Sequence, residues 1–316
     1  MQKTIRGYLC NWWLKYFAKQ NQKYFNKTLR KMVDFFPTLY QILNPMKKIL
    51  YSLSVIILIA ACSRNAITNR RQFNIIPKAE LQAQALTEYT SFLSTAKVIG
   101  TAGSRDAEMV KRVGTRIAAA ITKYYTDQGK GEVLAGYNWE FNLVNDKQVN
   151  AWCMPGGKVV VYSGLLDVTK NEAALAVVMG HEITHAVAEH GGERMSQALA
   201  AQGLGTLGDA LTANKQKTNQ IFNTVFGVGA QAGVLLPNSR KQEFEADRFG
   251  LRFCAMAGYN PNEAVSFWQR MAAASEANGG QKPPEFLSTH PSDENRIAQI
   301  QKYLPEALEF YKPIGK

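Results

Sequence analysis

Between residues 78 and 305 the apolar positions recur mostly at the spacing of helices. Residues 107–125 place Val110, Val113, Ile117, Ala118 and Ile121 on one face of a helix, and residues 78–97 form a helical stretch before it. Residues 139–144 alternate apolar and polar, as a half-buried strand does. Residues 158–162 are a β-branched run after the turn Pro155-Gly156-Gly157, so a small sheet is expected. A long helical pattern covers residues 171–201, with Gly191-Gly192 as its weak point. Residues 201–237 are rich in Gly, Ala, Thr and Asn and read as a loop followed by another apolar helix. Helices resume at 241–256, 262–274 and 293–303, the second announced by Asn260-Pro261. The expected fold is a mostly helical α+β domain over residues 78–316, without internal repeats.

The apolar run at 49–61 has a different meaning. It follows Met46-Lys47-Lys48, is 13 residues long and ends at Cys62. That is too short for a membrane-spanning helix and the right length for the apolar core of a cleavable signal. Ile59-Ala60-Ala61-Cys62 resembles the bacterial lipobox, in which the cysteine is lipidated and becomes the new N-terminus. Residues 46–61 are therefore read as a lipoprotein signal peptide. Residues 62–77 are read as the lipidated N-terminus and tether, and residues 1–45 as an upstream extension outside the working protein.

Charge supports this division. The net charge is +12, but residues 1–45 carry +7 and Lys47 and Lys48 two more, which leaves +3 from residue 49 onward. That balance removes the case for a nucleic-acid partner. Of the cysteines beyond Cys62, Cys153 and Cys254 sit among apolar neighbours and read as buried free thiols.

The candidate chemistry lies in the 171–201 pattern, at His181-Glu182-Ile183-Thr184-His185. Four residues turn about 400° around a helix, so both imidazoles leave one face and can bind one metal ion. Glu182 lies beside them, placed to act as general base. Zinc polarises a carbonyl and brings a water's pKa to about 7, which is the chemistry of peptide-bond hydrolysis. The surrounding residues are apolar, and the whole chain has four histidines, of which two fall in this motif. A catalytic zinc needs a third protein ligand, and Glu243-Phe244-Glu245-Ala246-Asp247 on a later helix offers one. Glu243 shares its helix face with Asp247, Ala246 and Gly250, so Glu243 is expected as the ligand. Asp247 is expected to accept the free ring N–H of a zinc-bound histidine. Glu245, about 200° away, reads as part of a solvated ion-pair face with Arg248 and Lys241. His190 is rotated about 140° from His185 on a continuous helix and reads as a structural or surface histidine.

These motifs resemble the gluzincin peptidases that include the CAAX prenyl protease, HtpX and the mitochondrial Oma-type and periplasmic quality-control proteases. The likeness covers roughly residues 80–305. It rests on His181–His185, on Glu243, Ala246 and Asp247, on Asn150, Ala151, Pro155, Gly156 and Gly157, and on Thr289, His290, Pro291 and Arg296. The resemblance implies a zincin-like fold with a small sheet beside the active-site helix and one zinc ion per chain. It implies an edge strand at Asn150 and Ala151 that binds an extended substrate backbone. It also implies that His290 stands near the metal to stabilise the oxyanion, with Arg296 supporting the site. The function expected is a zinc endopeptidase acting on unfolded or extended segments of misfolded or misassembled envelope proteins. It would be lipid-anchored to a bacterial membrane and face the periplasm. The rival expectation is an assembly-assisting, chaperone-like lipoprotein whose zinc is structural.

Overall fold

The structure is a computed structural model and describes residues 62–201, 215–226, 239–277, 286–287, 290 and 295–314. The segments read as an extension and a signal peptide lie outside the described residues, as do Thr289, Pro291 and most of residues 201–237. In chain order the elements begin with the strands β1 (Cys62–Arg64) and β2 (Arg71–Phe73), followed by helix α1 (Lys78–Thr95), β3 (Val98–Ile99) and α2 (Arg105–Asp127). Strands β4 (Glu140–Val144), β5 (Ala151–Met154) and β6 (Lys158–Tyr162) come next. The remainder is helical: α3 (Ser163–Thr169), α4 (Glu172–Val187), α5 (His190–Ala201), α6 (Lys215–Phe226), α7 (Ser239–Met256), α8 (Glu263–Ala277) and α9 (Arg296–Leu308).

The four-stranded sheet runs β3-β4-β6-β5, with β4 and β6 parallel and the other pairs antiparallel. Strand β6 is buried along its whole length, which is why its sequence is a β-branched run without alternation. The β5–β6 turn uses Gly156 and Gly157 at φ 87° and 84°, a conformation costly for other residues. Helix α2 is capped by the Ser104 hydroxyl, which accepts from the Ala107 N–H at 3.2 Å. Its buried face is Val110, Val113, Ile117, Ala118 and Ile121, the stripe expected from the spacing.

Helix α4 is the centre of the molecule, and all its residues from Ala174 to Val187 are buried. Helix α7 crosses it at Gly180 and Gly250. A Cβ on Gly250 would stand 2.7 Å from the His181 nitrogen, and one on Gly180 would stand 2.6 Å from the Gly250 carbonyl oxygen. Only glycines permit this approach, and it sets His181 directly opposite the acidic face of α7.

Two features differ from the pattern reading. The long helix over 171–201 is two helices: α4 ends at Val187 and Glu189 takes a left-handed φ of 56°, a break two residues ahead of the glycine pair. The stretch read as a polar tether is instead the docked hairpin β1–β2, with Asn65, Ile67 and Gln72 buried. Asn65 Nδ2 and Gln72 Nε2 both donate to the Ala188 carbonyl, at 3.0 and 2.8 Å. They satisfy a carbonyl that the end of α4 leaves without a helical partner.

Candidate metal centre

One turn of α4 carries His181 and His185, α7 brings Glu243 and Asp247 against them, and His290 closes the group from the segment before α9. Donor atoms of His181, His185, Glu243 and His290 all lie within 4.8 Å of one another. His181 Nε2 is 3.1 Å from His185 Nε2 and 3.1 Å from His290 Nδ1. The Glu243 carboxylate is 3.2 Å from His185 Nε2, 3.3 Å from His181 Nε2 and 3.0 Å from His290 Nδ1.

The opposite ring nitrogens decide which way the lone pairs face. His181 Nδ1 is 2.9 Å from Asp247 Oδ1, and the carboxylate can only accept, so the ring proton sits on Nδ1. His185 Nδ1 is 3.0 Å from His190 Nδ1, and His190 Nε2 is 3.1 Å from Glu245 Oε2. By the same logic His190 carries its proton on Nε2, so its Nδ1 accepts from the His185 Nδ1–H. Both imidazoles of α4 therefore direct Nε2 towards the same point, 3.1 Å apart, where the Glu243 carboxylate also lies. Three imidazole nitrogens and one carboxylate oxygen converging within 4.8 Å are a donor set suited to zinc.

The surroundings are built to hold this arrangement. Arg296, 1% exposed, donates from Nε and Nη2 to both oxygens of Asp247 at 2.9 and 2.8 Å and from Nη1 to the His290 carbonyl at 3.3 Å. Its guanidinium also lies 3.7 Å from the Trp268 ring centroid. Burial works against the Asp247 carboxylate, but Arg296 and His181 outweigh it and hold its pKa below the usual value. Glu182 is buried at the edge of the cleft with Oε1 3.3 Å from His290 Nε2 and without a hydrogen-bond partner. Burial raises its pKa.

Asn150 and Ala151 stand at the start of β5, the edge strand, and line the same cleft as Glu182, His185 and His290. The Asn150 carbonyl accepts from Tyr162 N–H at 3.1 Å, which makes that pair hydrogen-bonded and turns the backbone groups of Ala151 and Cys153 towards the open edge. The Ala151 N–H is meanwhile held by the Asn150 side chain at 2.9 Å. Cys153 and Cys254 are free and buried. Cys62 begins β1, at the hairpin behind α4.

Two residues stand where the pattern reading did not put them. His190 is fully buried against His185, because the left-handed Glu189 restarts the helix and cancels the rotation that a continuous helix imposes. Glu245 does not face solvent beside Arg248, which pairs with Glu306 instead. It is held by Arg70 of the hairpin at 2.7 Å as well as by His190. Arg70 also pairs with Glu193 at 2.6 Å. The signal for His190 was the scarcity of histidine: all four in the chain belong to this one cluster. Arg70 carried no sequence signal.

The sequence model described as peptidase family M48 matches residues 104–304. The chain belongs to this family. Among curated proteins, this M48 chain is 33% identical over 242 residues to the mitochondrial metalloendopeptidase OMA1 of Schizosaccharomyces pombe, covering 76% of the chain and 66% of that protein. It is 36% identical over 190 residues to the protein of the same name in Saccharomyces cerevisiae, covering 57% and 51%. It is 31% identical over 173 residues to the beta-barrel assembly-enhancing protease of Escherichia coli, covering 52% and 34%. The match thus spans less than two thirds of each of these relatives.

Proposed function

We propose that this chain is a zinc-dependent endopeptidase of the bacterial cell envelope. In this reading it is lipid-anchored through Cys62, faces the periplasm and cleaves extended segments of misfolded or misassembled proteins. The observation that carries the peptidase reading is the convergence of His181, His185, His290 and Glu243 donor atoms beside a cleft that also holds Glu182 and an open strand edge. His181, His185 and Glu243 would hold the zinc, which supplies Lewis-acid polarisation of the scissile carbonyl. Asp247, fixed by Arg296, keeps the His181 proton on Nδ1. Ala151 and Cys153 offer backbone groups to which an extended peptide can add as a further strand. Glu182, whose Oε1 has no other partner, takes the proton of the attacking water and later delivers it to the leaving amine. His290 Nε2 lies on the same side as Glu182, placed to donate to charge developing on the carbonyl oxygen.

The envelope substrate is supported by the likeness to the beta-barrel assembly-enhancing protease of Escherichia coli and the anchor by the pattern of residues 46–62. A second reading, a chaperone-like assembly factor with structural zinc, is favoured by His290, since four protein donors close a tetrahedral site. One experiment separates the two. Purified protein should hydrolyse casein in a chelator-sensitive way, and Glu182→Gln should keep one zinc per chain while losing about 100-fold or more of the activity. Zinc-loaded wild type that cleaves nothing would favour the structural reading, and full activity in Glu182→Gln would remove the assigned general base.

A further inference from the structure

The charged groups of the cleft are almost all spoken for. Lys78 donates to the Val133 carbonyl at 2.5 Å and lies 3.8 Å from Glu189. Behind the cleft wall, Glu243 is occupied by the histidines, and Glu193 by Arg70 and by Gln242 at 2.7 Å. Arg194 is different. It lines the cleft with Glu182, His185 and His290, yet its Nε is sealed from solvent without a hydrogen-bond partner. Among the described residues its guanidinium makes no hydrogen bond or ion pair. Other arginines of the fold show what a settled guanidinium looks like: Arg296 grips Asp247, Arg70 spans two carboxylates, and Arg270 binds the Val168 and Thr169 carbonyls at 2.7 and 2.9 Å.

The local fold holds Arg194 in this position. A Cβ on Gly191 would stand 2.1 Å from the Phe226 ring, so the glycine draws the first turn of α5 against α6. Glu193 is then turned to the hairpin side, and the next residue, about 100° further round, faces the cleft. Burial lowers the pKa of Arg194, and Glu243, Glu182 and Glu193 act against that from a distance without bonding to it. Burying part of a cation without a partner is costly, and the half-buried Arg194, its Nε sealed and without a hydrogen bond or ion pair among the described residues, keeps its guanidinium available to a ligand in the cleft that also holds Glu182. A neutral carbonyl oxygen would offset little of that cost. A carboxylate matches a guanidinium fork in both charge and geometry.

Resting on the peptidase reading above, we propose that Arg194 is a specificity residue that receives a carboxylate of the substrate close to the scissile bond. The carboxylate is that of an acidic side chain or of the peptide's free C-terminus, and the two sources are separable. The test is a set of quenched fluorescent peptides carrying one Asp or Glu, its amide counterpart, or Lys at each of the positions flanking the cleavage point, with free and amidated C-termini. They are assayed as kcat/KM with wild type, Arg194→Gln, Arg194→Lys and Arg194→Glu. Zinc content and melting temperature are measured in parallel, since a purely structural role would move those and leave the substrate ranking intact.

Wild type should prefer a carboxylate at one position by on the order of 10- to 100-fold, the scale of a hydrogen bond between charged groups. Arg194→Gln should lose the preference, Arg194→Lys should keep part of it, and Arg194→Glu should favour Lys at that position. A preference that vanishes on amidation assigns the terminal carboxylate, and one indifferent to amidation assigns the side chain. Cleavage without any carboxylate preference, or a preference that survives in Arg194→Gln, would overturn this proposal while leaving the peptidase reading in place. Failure of the zinc-loaded wild type to cleave any peptide would overturn both. If Arg194→Gln does not fold, Arg194→Lys decides: a ranking identical to wild type overturns the proposal.

Discussion

A histidine that offers Nε2 to a metal has Nδ1 to spare, and the partner of that nitrogen determines how firmly the ring is aimed. For His181 the partner is Asp247, itself gripped by Arg296. For His185 it is His190, which passes the connection to Glu245 and Arg70. The two proposed ligands are thus held from opposite sides by networks that both end on an arginine. His190→Phe fills the same space without accepting the His185 proton, and zinc affinity should fall on the order of 10- to 100-fold, as metal sites lose when such a support is removed. Chelator competition on purified protein measures this without reference to activity. An unchanged affinity would reduce His190 to a packing residue. Glu245→Gln should show a smaller loss of the same kind, since an amide can still accept from His190 but cannot balance Arg70. At this scale the sequence was legible where chemistry restricts the choice of side chain, as at His181, His185 and Asp247. It was misleading at His190, because a rotation counted along an unbroken helix does not survive a left-handed residue at Glu189.

The elements most open to reading were those stabilised by apolar burial. Helix α2 was legible because Val110, Val113, Ile117, Ala118 and Ile121 repeat at helical spacing. Strand β6 was legible because its centre is the β-branched run Val159-Val160-Val161. The hairpin β1–β2 was not, since its strands are three residues each and polar contacts fix it: Asn65 and Gln72 on the Ala188 carbonyl, Arg70 on Glu193 and Glu245. Hydropathy carries no record of such contacts. They also make the hairpin part of the site's support. Replacing Arg70 with Met removes one cation from two carboxylates that remain largely buried, a change that costs about 3–5 kcal/mol when a buried pair is broken on one side. The variant should melt at a lower temperature in calorimetry and be cut earlier by trypsin within the hairpin. Arg70→Met combined with Glu193→Gln and Glu245→Gln should recover part of the loss, since no uncompensated charge remains. Equal stability of Arg70→Met and wild type would show that the hairpin is held by Asn65 and Gln72 alone.

Across the whole molecule the site is assembled from three distant stretches, His181–His185, Glu243–Asp247 and His290–Arg296, joined where α7 crosses α4 at Gly180 and Gly250. That assembly was foreseeable from motif order, whereas the cation at Arg194 was not, because a side chain without a hydrogen bond or ion pair among the described residues leaves no pattern to read. The hairpin adds a consequence for the proposed anchor. Strand β1 starts at Cys62, and only three residues later Asn65 is bonded to the end of α4. A lipid on Cys62 would therefore hold the catalytic unit directly at the bilayer, with the hairpin as a short rigid link in place of a flexible tether. Among the described residues no helix is long and apolar enough to cross a membrane. Cys62→Ala should move the protein from the membrane fraction to the soluble fraction, because a lipid chain contributes about 0.8 kcal/mol per buried CH₂ and nothing else proposed here inserts into the bilayer. Zinc content and kcat/KM on short soluble peptides should stay at wild-type values, while cleavage of a membrane-associated substrate in reconstituted vesicles should fall. Persistence of the variant in the membrane fraction after a high-salt wash would establish another attachment and remove Cys62 as the anchor.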